Sequence, residues 1–171
     1  ILMPVIARDI LGVGADLQGW LLSAGGIGAV VVTLLIGARS GLRRRTHLLI
    51  GGATLYGVLI AVFAITAERI GSYPLALILI LAMGASQSAY MLIIMSSLQM
   101  LVPDRLRGRV MGFFGITYAM LPLSGLLAGL ASQFVGVPVA IAAGGLIVSA
   151  FALGPALLSA KIRNLGAHVA Q

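Results

Sequence analysis

The chain has 171 residues, of which 60% are hydrophobic and only 9% charged, with a mean hydropathy of +1.14. A domain of this size in water needs a polar skin over its core, so a soluble fold does not fit this composition. The net charge of +7 does not point to nucleic acid either: the basic residues sit in short clusters between long apolar runs, not over one solvated face. That pattern belongs to loops flanking membrane spans, and it makes the lipid bilayer the first expected partner.

With no cysteine, and with His47 and His168 isolated from each other, neither a disulfide, a metal site nor a cofactor is expected. The chain begins at Ile1 and shows no basic start followed by a short apolar stretch and a cleavage site, so it reads as a piece of something longer with no signal peptide. Ile1 to Ala7 is apolar but too short to cross a bilayer. It reads as the tail of a preceding span or as an interfacial segment.

Crossing a hydrocarbon core of roughly 30 Å takes roughly 20 apolar residues in a helix. Residues 17–38 and 46–67 are each uncharged over 22 residues and are expected to span. The next uncharged run, residues 70–103, opens with Ile70-Gly-Ser-Tyr-Pro74, an interfacial turn whose proline suits the first turn of a helix. A third span is placed at 74–101. Residues 110–160 hold 51 uncharged residues, enough for two crossings, and the turn chemistry of Phe134-Val-Gly-Val-Pro138 divides them into 110–134 and 138–160. The expected fold class is therefore all-α: a polytopic transmembrane bundle of about five spans forming a single transmembrane domain.

Orientation follows from the Lys and Arg in successive connections, which number one, four, one, three, none and two. Alternate segments hold nine on one side and two on the other. The N-terminus is expected outside and the C-terminus in the cytoplasm.

An ionisable group inside a span is a default functional candidate, and these spans hold none beyond His47, which lies two residues past Arg45 at headgroup level. Uncharged polar residues concentrate in the third span: Ser86, Gln87, Ser88, Tyr90, Ser96, Ser97 and Gln99. At 3.6 residues per turn, Met83, Gln87, Tyr90 and Ile94 share a face, with Ser86 close to it. This face either lines a substrate cavity or hydrogen-bonds neighbouring helices. In the fourth span Thr117 and Tyr118 precede Pro122, which can kink a helix by freeing a carbonyl; packing would explain them equally well. The substrate-pathway candidates are thus Gln87, Tyr90, Ser86, Met83 and Tyr118. Gly25-Gly26-Ile27-Gly28 follows no strand and lies in an apolar span, so it serves close helix packing and not phosphate binding; Gly125 and Gly129 form a similar small-xxx-small pair. No nucleophile with a base, no paired carboxylates and no metal-ligand cluster is found, so an enzyme is not expected.

Leu101-Val-Pro103-Asp-Arg-Leu-Arg107-Gly108-Arg109 resembles the Pro-x-x-x-Arg-Gly-Arg stretch between the tenth and eleventh helices of major facilitator transporters. The match falls on Pro103, Arg107, Gly108 and Arg109. The opening, Met3-Pro-Val-Ile-Ala-Arg-Asp-Ile-Leu-Gly-Val-Gly14, is similar to the end of the seventh helix in the branch containing the enterobactin exporter and related drug exporters. The resemblance implies that the five spans are helices eight to twelve, with an N-terminal half missing. It also implies a plasma membrane, bacterial setting. Gly37-Ala-Arg39-Ser-Gly41-Leu-Arg43-Arg44-Arg45 only partly matches the family's Gly-x-x-x-Asp-Arg-x-Gly-Arg-Arg loop: it is shorter and lacks the aspartate, so the cytoplasmic latch that acid provides is not expected here. Pro122 and Gly125 match the short antiporter signature Pro-x-x-Gly. The family implies alternating access of two halves around a midplane site. For this chain the resemblance implies secondary active export of a small drug- or siderophore-like molecule, coupled to protons at a group outside these spans. The alternative is a non-transporting helical module or a degenerate remnant of a transporter.

Overall fold

The computed structural model describes residues 11–38 and 45–158. The opening Met3–Ile10 stretch, most of the Arg39–Arg45 loop and the tail bearing Lys161 and Arg163 lie outside them. The described residues form α1 (Ala15–Ala38), α2 (Arg45–Ile70), α3 (Tyr73–Leu101), α4 (Asp104–Ala119), α5 (Leu121–Val135) and α6 (Val137–Leu158). Five stretches are long and apolar enough to cross a membrane, α4 and α5 together counting as one, Asp104–Val135.

Helix is the form that satisfies every backbone group within its own segment, which hydrocarbon demands. Several hydroxyls obey the same rule. Ser23 donates to the Gly19 carbonyl at 2.9 Å, Thr33 to Ala29 at 2.8 Å, Thr66 to Val62 at 2.8 Å and Ser86 to Ala82 at 2.8 Å. Each thereby closes its polar group onto the preceding turn. The outer surface is correspondingly apolar: Trp20, Leu34, Phe134 and Phe151 are all largely exposed, as lipid-facing side chains are.

Contacts run laterally from α1 to α3, from α3 to α2, from α2 to α6 and from α6 to α5. Because lipid is as apolar as leucine, helices in a membrane associate through close packing and polar contacts more than through burial of apolar area. Most of the buried residues are accordingly small, with Ala24, Ala61, Ala64, Ala67 and Ala76 beside Leu21, Phe63, Ile80 and Ile93. At the α1–α3 crossing a methyl on Gly84 would collide with the Gly25 carbonyl, and one on Gly28 with the Leu81 carbonyl. At the α2–α6 crossing a methyl on Gly145 would lie 2.9 Å from the Ala61 nitrogen.

Two hydroxyls tie helices together. Tyr73 donates to the Leu17 carbonyl at 2.9 Å, joining the first turns of α3 and α1. The Ser149 hydroxyl lies 3.0 Å from the carbonyl of Gly145 and 3.1 Å from that of Thr54, its proton shared between α6 and α2. Contacts at Leu17–Tyr73 and Gly25–Gly84 progress in the same direction, so α1 and α3 run parallel. Contacts from Thr54–Ser149 to Ala61–Gly145 progress in opposite directions, so α2 and α6 are antiparallel.

The connections are tight. Gly71 stands at φ +60° and donates to the Thr66 and Ala67 carbonyls, ending α2 in the left-handed cap that glycine adopts without strain. Gly136, at φ +84°, separates α5 from α6 in the same end of the bundle as Gly71. At the other end Val102 is extended (φ −92°, ψ 122°) because Pro103 disfavours helix in the residue before it.

The sequence boundaries need two corrections, both in the fourth span. It starts at Asp104, six residues before Val110, so Arg107, Gly108 and Arg109 stand on the first turns of α4 and not in a loop. It is also interrupted at Met120, between α4 and α5. Pro122 lies at the start of α5, and without an N–H it leaves the Tyr118 carbonyl without its helical donor.

A candidate substrate cleft between three helices

Between α1, α2 and α3 the bundle opens a cleft of about 390 Å³. Its walls are mostly apolar, from Leu22 and Ala29 on α1 to Phe63 on α2 and Ile80 on α3. Three side chains add polarity: Tyr56 from α2, and Gln87 and Ser88 from α3. The glycines that bring α1 against α3 form part of the same lining, since Gly25 and Gly84 both face it. Helix packing and cleft shape therefore share residues.

Met83 and Gln87, one turn apart on α3, both line the cleft, and Gln87 is exposed within it. Tyr90 stands a further turn along and lies against Tyr56, ring centroids 5.9 Å apart and tilted at 52°. A methyl on Gly52 would lie 3.3 Å from Cβ of Tyr90, so the bare α2 backbone there is what admits Tyr90 to the helix interface. Tyr90 thus touches the cleft through Tyr56. Aromatic pairs of this kind are tilted because ring edges and faces carry opposite partial charge.

Ser86 and Tyr118 do not line it. Ser86 is 6% exposed and its hydroxyl is held by the Ala82 carbonyl. One residue from Gln87, it is rotated about 100° around α3, which turns it toward α2. Tyr118 stands on α4, outside the cleft lining, and packs edge-on against Phe114 with centroids 5.6 Å apart. At Gly129 an added methyl would meet nothing within 4 Å, so the close packing expected of Gly129 is not made among the described residues; Gly125 is half-buried.

Sequence reasoning missed Tyr56. It is the one aromatic hydroxyl in the second span, a signal comparable to that which drew attention to Tyr90. It was hidden because it stands outside the polar cluster of the third span and only the tertiary fold brings it beside α3.

At the far end of α3, Arg107 donates to the Gln99 carbonyl at 3.1 Å and pairs with Asp104 at 2.9 Å. The guanidinium therefore meets an otherwise unpaired carbonyl in the last turn of one helix and a carboxylate in the first turn of the next. Among the described residues no group of three His, Asp or Glu converges to hold a metal ion.

An apolar exterior, five membrane-crossing stretches and a cleft between them define a multi-pass integral membrane protein. The Major Facilitator Superfamily model matches residues 1–167, and the chain belongs to that family of membrane transporters. No curated protein and no solved structure matches it.

Proposed function

We propose that this chain forms the second half of a secondary active exporter and contributes one wall of its transport pathway. The observation that carries the reading is the cleft itself: apolar walls interrupted by Tyr56, Gln87 and Ser88. Such a lining suits a small amphipathic molecule, drug-like or siderophore-like, whose apolar body packs on Leu22 and Phe63 while an amide or hydroxyl meets Gln87. Met83 adds a flexible, polarizable side chain that accommodates varied shapes.

In this reading an N-terminal half supplies the opposite wall, and the two halves rock about the site. The exporter branch, the outward direction and the proton coupling rest on the likeness of the Met3–Gly14 stretch to that branch, whereas the Pro103–Arg109 segment resembles major facilitator transporters in general. The carboxylates on the spans, Asp16, Glu68 and Asp104, all stand in first or last turns, away from the middle of the bilayer, so in this reading the coupling group belongs to the other half. In this reading the N-terminus lies outside and the C-terminus in the cytoplasm, which the distribution of arginines supports, and the bacterial plasma membrane setting rests on the resemblance.

The test is transport by the complete protein in proteoliposomes under an imposed pH gradient, against a panel of amphipathic dyes. Gradient-driven movement of at least one, altered in selectivity by Gln87→Ala, supports the reading. A protein that inserts correctly and moves none of the panel under any gradient contradicts it and favours a non-transporting module.

A further inference from the structure

The three arginines at the start of α4 are not equivalent. At 100° per residue, Arg107 shares its side of the helix with Leu106, Val110, Met111 and Phe114, all four half-buried. On that side Arg107 meets the end of α3 at Gln99, and Asp104 on its own helix. Arg105 and Arg109 fall on the opposite side, one turn apart. Both are exposed, and among the described residues neither side chain has an ion pair or hydrogen bond. Along the same face below them come Gly112, where an added methyl would meet nothing within 4 Å, and then Phe113 and Ile116, 76% and 55% exposed.

We infer that this exposed face of α4 is a binding site for an anionic phospholipid, with the headgroup phosphate held between Arg105 and Arg109 and an acyl chain lying along Gly112 beside Phe113 and Ile116. The charges are complementary, and the planar guanidinium fork suits phosphate oxygens. The axial order also matches a lipid. Arg109 lies about 6 Å from Phe113 along the axis, the right sense for a polar head above hydrocarbon. Gly112 leaves a smooth channel about one turn below Gly108 on the helix, and Gly108 is equally open. A soluble anion would use the arginines and ignore the apolar residues below; a lipid uses both. The inference is independent of which compound the cleft carries.

The experiment is native mass spectrometry of the complete protein in detergent with dioleoylphosphatidylglycerol or dioleoylphosphatidylcholine as the probe. The wild type is expected to prefer the anionic lipid. Arg105→Gln with Arg109→Gln should lose about 30-fold in affinity for it, roughly fivefold per guanidinium, at unchanged helicity. Arg107→Gln should keep the preference. Should the double variant fail to fold, raising the salt concentration on wild type must weaken phosphatidylglycerol binding and leave phosphatidylcholine unaffected. Equal binding of both lipids, an undiminished preference in the double variant, no effect of salt, or displacement of the lipid by millimolar inorganic phosphate would each overturn the proposal. The last of these separates a lipid from a free anion.

Discussion

The guanidinium of Arg107 donates to the backbone carbonyl of Gln99 at 3.1 Å, so a side chain on α4 caps the end of α3. The same group pairs with Asp104, and the angle between the two helices is held across the two-residue turn Val102–Pro103. Arg107→Gln should lower unfolding stability in detergent by about 1 kcal/mol, the usual worth of a half-exposed charge-assisted bond. Asp104→Asn should cost less, because that carboxylate is 89% exposed. Thermal unfolding followed by circular dichroism measures both, and equal losses would show that the ion pair, not the cap, is the part that matters.

Neighbouring glycines in α1 should respond in opposite ways. Gly28 faces the Leu81 carbonyl, whereas an added methyl at Gly26 meets nothing within 4 Å. Gly28→Ala is expected to destabilise by about 1–3 kcal/mol through overpacking against backbone. Gly26→Ala should be neutral or slightly stabilising, since alanine is the better helix former by up to about 1 kcal/mol. Unfolding in mixed micelles reads the difference; two equal effects would contradict the α1–α3 crossing.

Within the cleft, Gln87→Ala and Tyr56→Ala should change which amphipathic dyes the complete protein moves, with insertion intact. Tyr90→Phe keeps the ring against Tyr56 and removes only the hydroxyl, so its expected effect is smaller. Ser86→Ala should leave the profile unchanged, because that hydroxyl bonds its own helix. A dye-transport panel checks all four. Unchanged transport of every dye by Gln87→Ala and Tyr56→Ala would remove both from the pathway.

Pro122→Ala returns an N–H to the Tyr118 carbonyl and should join α4 and α5 into one continuous helix. Stability is expected to rise while turnover falls, if the interruption at Met120 serves movement between outward- and inward-facing states. A variant with unaltered turnover would assign the proline to packing.

Topology has its own check. A cysteine at Ser72 should react with a membrane-impermeant maleimide added to intact cells, and one at Gly108 only after permeabilisation. The two positions stand at opposite ends of α3 and the turn beyond it. The reverse labelling would invert the orientation.

Run length and composition alone determined the number of spans and most of their ends. A bilayer of fixed thickness imposes one length on every crossing, and hydrocarbon excludes every backbone form except those that satisfy their own hydrogen bonds. Periodicity likewise put Met83 and Gln87 on one side of α3, since spacing along a helix fixes direction. It did not determine what each side faces. Ser86, one residue from Gln87, was turned into the bundle by the approach of α2 at Gly52. Tyr56 joined Tyr90 from a helix more than thirty residues away in sequence. The early start of α4 was masked by its charges, because the uncharged-run criterion stops at the first arginine while the helix itself continues past the hydrocarbon into the headgroups. Contacts between helices depend on which small residues happen to meet, and that was decided only when the bundle packed.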